Sequence, residues 1–193
     1  NMKYLQIFSH IITCLVEGEF MQMEDVYRID QGIERYMTKT QKKTADFMEG
    51  CMELGGLLGG WSESEIVGLK KYGHALGMAF QITDDIMDYR ETTETTGKPV
   101  GNDLREGLLT YPLLSIVNDD NKDKLLEDIK ALNNGGDEQA IIDYVIDQGG
   151  IDNTLAVADQ YCKDALAALD AVRDFPGKEF LVMAVENLAD RKV

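Results

Sequence analysis

Apolar residues recur three and four positions apart along almost the whole chain, and strand-like alternation is essentially absent. Spacing of this kind is typical of helices that bury one face. The pattern predicts one helix over Met2–Val16, ending near Gly18, and a second helix over Glu24–Met52 with a kink near Lys43-Thr44. The sequence therefore predicts an all-α fold.

The second half of the chain carries clear start and stop signals for helices. Ser62 with Glu65 three residues later forms a capping box, which predicts a helix from there to about Tyr89. Glycines and Pro99 make residues 91–110 a loop, and Pro112 suits the first turn of the next helix. Further helices are predicted near residues 121–132, 137–148, 151–173 and 177–190. No internal boundary is visible, so we expect residues 1–193 to form a single domain.

Composition and charge narrow the possible functions. The chain has 193 residues, 44% of them apolar, and a formal net charge of -16. That charge opposes binding to nucleic acid or to anionic membranes. No stretch approaches the ~20 apolar residues of a transmembrane helix, and no secretory signal is recognisable. We therefore expect a cytoplasmic protein without a transmembrane segment, which needs metal ions or local lysines to bind an anionic ligand.

Cysteine and histidine usage argues against a zinc site. Cys14, Cys51 and Cys162 lie far apart without metal-ligand spacing, and the chain has two histidines. The cysteines are expected to be reduced and mostly buried. For His74 a half-buried structural role is expected.

A concentrated group of carboxylates ends the helix predicted to reach Tyr89. Asp84, Asp85 and Asp88, together with Gln81, fall on one side of a helix at about 100° per residue. Their charges repel each other and lie at the helix C-terminus, where the macrodipole disfavours them. Mg²⁺ relieves such repulsion, since it is commonly held by one or two carboxylates plus substrate phosphates.

An acidic helix end in solvent is the simpler interpretation of these aspartates, and their neighbours argue against it. Gly73 and Gly77 precede them at helical spacing and allow another helix to approach the same surface. Lys98 and Asp103 follow in a glycine-rich loop that is long enough to fold over bound phosphates. Lys43, taken alone in mid-helix, would more often face solvent.

Six short segments carry further information through their order and spacing. They are Glu17–Gln22, Tyr36 with Lys43–Ala45, Phe80–Asp88, Gly97–Leu104, Gly107–Pro112 and Leu188–Arg191. In this order and spacing the chain resembles the trans-polyprenyl diphosphate synthases over nearly its whole length. The resemblance is nearest to medium- and long-chain catalytic subunits of the hexaprenyl and heptaprenyl kind. It implies an isoprenoid-synthase helical bundle around a central cavity.

The resemblance also implies a reaction, a cofactor and an assembly. Members of this family join isopentenyl diphosphate to an allylic diphosphate with the help of Mg²⁺, and they commonly form homodimers or heterodimers. The resemblance implies that Asp84 binds Mg²⁺ directly and that Asp85, Asp88 and Asp103 hold the water ligands of the ion. It implies that Lys43 and Lys98 contact the diphosphate. It also implies that Thr44 and Gln81 stabilise the allylic carbocation.

Two departures from the family pattern shape these expectations. The first aspartate-rich motif has no counterpart in the chain, which resembles the C-terminal portion of a family member, so the N-terminal helices would precede Asn1. We therefore expect no product from this chain alone. Leu108 stands where many relatives carry a lysine, and catalytic subunits of heteromeric medium-chain synthases often lack that lysine too.

Three alternatives stand beside a Mg²⁺-dependent prenyltransferase. A non-catalytic subunit that binds or regulates a complete synthase would not require the lysines and aspartates named above. A terpene cyclase would carry an Asn/Ser/Glu metal motif on the corresponding helix, and the sequence has none. A prenyl-chain hydrolase would need a nucleophile with an activating histidine, for which the sequence offers no candidate. The resemblance implies that product length depends on residues at the cavity floor, many of which belong to the N-terminal portion of the family pattern, so the sequence does not predict it.

Overall fold

Helices make up the regular structure of the computed structural model, which describes residues 2–90 and 101–190. In chain order the α-helices are α1 (Met2–Glu24), α2 (Gly32–Thr40), α3 (Asp46–Leu58), α4 (Glu63–Arg90), α5 (Asn102–Glu106), α6 (Tyr111–Leu114), α7 (Lys122–Ala131), α8 (Glu138–Asp147), α9 (Gly150–Asp170) and α10 (Lys178–Asp190). A π-helical segment, Gln41–Ala45, joins α2 to α3, and a 3-10 turn, Leu132–Asn134, follows α7. Within the described residues there is no β-strand, so the predicted all-α fold is confirmed.

The long helix α4 forms the centre of the bundle and packs most extensively against α9 and α3. It is buried on several sides because its neighbours cover apolar residues along its whole length. Its N-terminal half contributes Tyr72 to a cluster with Leu169 and Val185. Its C-terminal half contributes Ile82 and Ile86 to a larger cluster that extends to α8. Full burial of each such side chain stabilises the fold by about 1.5–3 kcal/mol.

The first helix continues past Gly18 to Glu24, so the predicted end near Gly18 is wrong. A side chain at this position would meet the backbone nitrogen of Lys43 at 2.8 Å. Glycine therefore marks a close approach between two elements here, and not the end of a helix. The Ser62–Glu65 capping signal is confirmed as the start of α4, since Glu65 accepts a hydrogen bond from the Ser62 backbone N–H at 2.9 Å.

The second predicted helix differs from the structure at its start and in its middle. The chain turns through residues 25–31 before α2 begins at Gly32, because the buried carboxylate of Asp25 is held by Arg35 at 2.6 Å and fixes this turn. The predicted kink near Lys43-Thr44 is present as the π-helical segment. In the region predicted as a loop over residues 91–110, α5 is an additional short helix.

The outer face of α1 carries several large apolar side chains that remain exposed. They are Leu5, Phe8, Ile12, Val16 and Phe20. These positions follow helical spacing and so form one stripe along the helix. No helix in the described ranges combines the length and the apolarity that a bilayer span requires.

Candidate functional site

The C-terminal half of α4 and the π-helical segment face each other across a cavity of about 290 Å³. The end of α1 and the stretch from residue 103 to residue 110 close its remaining sides. The charged and amide side chains that line it include Lys39, Lys43, Gln81, Asp84, Asp85 and Asp103. Five of these six are site residues predicted from the sequence, so the fold brings most of the predicted site together.

Asp85 is the buried carboxylate of this cavity, with 4% of its surface exposed. The Tyr36 hydroxyl donates a hydrogen bond to its Oδ2, and Gln81 Nε2 donates to its Oδ1 at 3.3 Å. Burial raises the pKa of Asp85 to about 7, although both hydrogen bonds oppose this rise. The carboxylate is thus held in one orientation and is costly to keep ionised without a nearby cation.

Asp84 and Asp103 add further negative charge beside Asp85. Asp84 is exposed on α4, while Asp103 is partly buried in α5. Burial, followed by the charges of Asp88 and Asp84, raises the pKa of Asp103 to about 6. The repulsion predicted from the sequence is therefore present in the folded chain among the described residues.

Asp88 has a different local role from its neighbours on α4. Its two carboxylate oxygens accept the backbone N–H groups of Asn102 and Asp103, each at 3.1 Å. Such capping is favourable at the positive end of a helix, and it fixes the start of α5 against α4. Asp88 does not line the cavity, but it positions Asp103, which does.

The four aspartates are spread out and do not form a tight ligand cage. Among the described residues, no three of them bring their oxygens within 4.8 Å of one another. Mg²⁺ usually keeps several waters and uses only one or two protein carboxylates. An all-oxygen set of spaced carboxylates therefore fits hydrated Mg²⁺ better than it fits a metal that needs a closed protein shell.

The π-helical segment contributes Lys43 to the lining of the cavity, and its Thr44 contacts Gln81, which also lines the cavity. Lys43 Nζ donates to Gln22 Oε1 at 2.9 Å and pairs with Glu19 at 3.2 Å, so α1 holds it in place. The Thr44 hydroxyl donates to Gln81 Oε1 at 3.0 Å. The sequence predicts that Thr44 and Gln81 act at one reacting centre. The hydrogen bond between their side chains is consistent with that prediction.

The backbone of α4 lies close to the π-helical segment and to the start of α3, and this close packing brings Thr44 within reach of Gln81. A Cβ on Gly77 would lie 2.6 Å from Ala45 Cα, and a Cβ on Gly73 would lie 2.7 Å from the Met48 carbonyl oxygen. The prediction that these glycines admit a neighbouring helix is confirmed. The backbone contact places the π-helical segment directly against the stretch of α4 that carries Gln81.

Lys39 is a cavity residue that sequence reasoning missed. It is 7% exposed, its Nζ lies 5.6 Å from the centre of the Tyr36 ring, and burial lowers its pKa. Its spacing of four residues from Lys43 is a signal for a shared helix face. Leu108 lines the same cavity with an apolar side chain.

Two residues singled out in the sequence are not part of the described cavity. Lys98 lies outside the described residues, so its predicted contact with diphosphate stays a prediction. His74 is half-buried and faces Glu49 at 3.5 Å, away from the aspartates. Its expected structural character agrees with this position.

Comparisons with known proteins give the chain a family. The model of the polyprenyl synthetase family matches residues 1–148. Component 2 of the heptaprenyl diphosphate synthase of Geobacillus stearothermophilus is 33% identical over 172 residues, which cover 89% of this chain and 54% of that protein.

Two solved structures are similar along the full length of this chain. A decaprenyl diphosphate synthase from Rhodobacter capsulatus matches with a TM-score of 0.89 and 26% identity, over 100% of this chain and 61% of that one. A polyprenyl synthase from Caulobacter crescentus CB15, complexed with calcium and isoprenyl diphosphate, matches with a TM-score of 0.82 and 31% identity, over 100% and 58%. This chain thus spans less than two thirds of the length of the proteins it matches. The breadth of the family match and the shared helical bundle show that the chain belongs to the polyprenyl synthetase family.

Proposed function

We propose that this chain forms the diphosphate-ionising part of a Mg²⁺-dependent prenyltransferase that joins isopentenyl diphosphate to an allylic diphosphate. The observation that carries the proposal is the cavity in which Lys39 and Lys43 face Asp84, Asp85 and Asp103. A cavity lined by both signs of charge suits an anionic group that arrives with a divalent cation. The calcium and isoprenyl diphosphate bound by the Caulobacter relative support this assignment.

The chain's own residues would bind and orient the allylic diphosphate. The ammonium groups of Lys39 and Lys43 would attract its oxygens, and Lys98 is proposed to contact the same group. Electrostatic stabilisation of charge that develops in the transition state is commonly the largest single contribution to catalysis. Tyr36 and Gln81 hold Asp85 in a fixed orientation, so little reorganisation is needed when the substrate binds.

Asp84 is proposed to bind Mg²⁺ directly, while Asp85, Asp88 and Asp103 would retain its water ligands. The raised pKa values of Asp85 and Asp103 fit this role, because burial and then the neighbouring carboxylates raise them, and a bound cation would offset both effects. When bound, Mg²⁺ neutralises the charge of the departing diphosphate.

Thr44 and Gln81 are proposed to stabilise the allylic cation that remains when diphosphate leaves. Their oxygens carry negative partial charge and already lie 3.0 Å apart. Electrostatic interactions of this kind strengthen when water is excluded. No acid or base of the chain is required in this proposal, because released diphosphate can accept the final proton.

The test is the variant Asp84→Ala in a full-length synthase that contains this chain. We expect turnover to fall by about 100-fold or more, as for loss of a major electrostatic group in other enzymes. Asp143→Ala removes an exposed carboxylate on α8 outside the cavity and is the matched control. Activity retained in Asp84→Ala, or lost equally in the control, would refute this site.

We further propose that the whole protein works with a second polypeptide, of the same or a different sequence. The relative in Geobacillus stearothermophilus is named as component 2 of its enzyme, which supports an assembly of more than one chain. Light scattering of the full-length protein would test this, since a monomer at the concentration that gives activity would contradict it. A non-catalytic regulatory subunit remains the alternative, and the Asp84→Ala assay distinguishes the two.

A further inference from the structure

A second cluster of potential metal ligands lies outside the cavity, where α1 packs against α3. His10 and Cys14 are four residues apart on α1, and Asp46 is the first residue of α3. One ligand atom from each residue lies within 4.8 Å of the other two. Spacing along the chain does not reveal this cluster, because its carboxylate comes from a distant part of the sequence.

The types of ligand favour a borderline transition metal over Mg²⁺. Zn²⁺ accepts histidine nitrogen, thiolate sulfur and carboxylate oxygen, whereas Mg²⁺ takes oxygen. Bonds of ~2.0–2.3 Å at tetrahedral angles separate neighbouring ligand atoms by about 3.3–3.8 Å. Cys14 Sγ lies 3.7 Å from both ring nitrogens of His10, so the sulfur faces the ring, and the ring must turn about its Cβ–Cγ bond to direct one nitrogen at a shared ion.

Carboxylates outnumber lysines around the cluster, although the Lys42 ammonium group interacts electrostatically with both Cys14 and Asp46. Glu49 and Glu53, which lie nearby on α3, share Lys70 at 3.4 and 2.7 Å. Asp46 has no lysine or arginine within ion-pair distance among the described residues, and Gln41 Nε2 contacts its Oδ1 at 3.3 Å. A cavity of about 230 Å³ beside the cluster is lined by His10, Asp46 and Lys70 but not by Cys14, so it gives water access to two of the three ligands.

We propose that His10, Cys14 and Asp46 bind one divalent transition-metal ion of the zinc type, which fastens α1 to the start of α3. Burial and the adjacent Asp46 raise the pKa of Cys14 to about 11, so the metal-free thiol is protonated. Binding replaces its S–H bond by a sulfur–metal bond and releases that proton to solvent. Asp46 also lies within 4.8 Å of ligand atoms of Glu49 and His74, which supply further donors beside the ion.

The site has a structural consequence for the candidate cavity. Asp46 directly follows the π-helical segment that carries Lys43 and Thr44. An ion at this position would therefore fix one end of that segment against α1. The binding itself does not depend on the proposed prenyltransferase activity, since it involves different side chains and a different class of metal.

Cobalt titration of the chelator-treated chain tests the proposal directly. Co²⁺ replaces Zn²⁺ in such sites, and a thiolate ligand gives a sulfur-to-cobalt charge-transfer band in the near ultraviolet. We expect this band to saturate at one equivalent of Co²⁺ and to disappear when Zn²⁺ is added. Co²⁺ held by the aspartates of the cavity has no sulfur ligand and gives no such band, so failure of one site is distinguishable from failure of the other.

Two variants and a control define the ligands. Cys14→Ser is expected to abolish the band, whereas Cys51→Ser, which alters an exposed cysteine, is expected to leave it unchanged. His10→Asn is expected to weaken Co²⁺ binding by more than about tenfold, because loss of a mere outer-shell partner already costs 10- to 100-fold. Circular dichroism of each variant establishes that it is folded.

Two outcomes would overturn the proposal. The first is the absence of a charge-transfer band at any Co²⁺ concentration in the folded chain, which would leave the cluster as a hydrogen-bonded helix contact. The second is a band that persists in Cys14→Ser or is lost in Cys51→Ser, which would assign the sulfur ligand to another cysteine.

Discussion

Lys39 illustrates how a single residue can be recognised only in the folded chain. Its ammonium group is almost fully buried beside Tyr36, and no carboxylate of the described residues lies within ion-pair distance of it. A buried charge of this kind lowers stability until an anion reaches it. The charges of Asp25 and Asp85 offset part of this cost, and the position of Lys39 in the cavity lining favours a role in binding an anion.

We predict that Lys39→Met weakens binding of magnesium pyrophosphate and at the same time raises the melting temperature of the ligand-free protein. Loss of a hydrogen bond to a charged group costs about 1.5–3 kcal/mol, which is roughly 10- to 100-fold in Kd. Calorimetric titration and thermal unfolding measure the two effects.

Lys42→Met is the matched control for this prediction. Lys42 is held by Glu17 at 2.6 Å and does not line the cavity. Leu108→Lys, which places an ammonium group on another part of the cavity lining, is expected to restore part of the affinity lost in Lys39→Met. Unchanged affinity in Lys39→Met, or a lower melting temperature, would assign Lys39 a structural role.

At the scale of whole elements, the contact between α1 and the π-helical segment organises the site. Gly18 lets the two backbones approach, and Glu19 and Gln22 on the same stretch of α1 hold Lys43. The site therefore depends on helix packing as much as on the identity of its polar residues.

We predict that Gly18→Ala destabilises the protein by about 1–3 kcal/mol, because the added methyl group meets the Lys43 backbone and overpacks the interface. Gly55→Ala on α3 is the control, since a methyl group at that position would have no atom within 4 Å of it among the described residues. This replacement is expected to raise stability by about 0.5–1 kcal/mol, as for an exposed helical glycine. Urea unfolding measures both, and equal stabilities would refute the packing argument.

Local pattern explains which elements could be predicted from the sequence. The capping box at Ser62 and the aspartates on α4 act over one or two helical turns, so the sequence predicts both. The predicted helix end at Gly18 is wrong because a close backbone contact and a helix stop use the same residue type. His10 and Asp46 come together only through tertiary packing, which spacing along the chain does not reveal.

At the scale of the whole molecule, the described chain combines the aspartates of the cavity with an exposed apolar stripe on α1. Large exposed apolar patches commonly mark surfaces that contact other protein. The chain matches relatives of which it spans little more than half, 54% in the case of the Geobacillus stearothermophilus protein.

We predict that the 193-residue chain alone forms no prenyl product from isopentenyl diphosphate and an allylic diphosphate, although it binds magnesium pyrophosphate. One acidic cluster cannot supply the ligands for the full set of metal ions that the family mechanism implies. Radiolabelled product extraction measures condensation, with an intact heptaprenyl synthase assayed in parallel. Product above the no-enzyme blank would refute this prediction.

The π-helical segment Gln41–Ala45 limits which insertions and deletions the site can tolerate. In a regular helix, residues eight positions apart drift by about 80° around the axis, which would turn Thr44 away from Tyr36. The extra residue in the turn absorbs that drift, so Tyr36 lines the cavity while Thr44 contacts Gln81, which also lines it. A single-residue deletion here would be expected to restore an ordinary helix and to separate the Thr44 hydroxyl from Gln81. The length of this segment therefore matters to the site as much as the types of its residues.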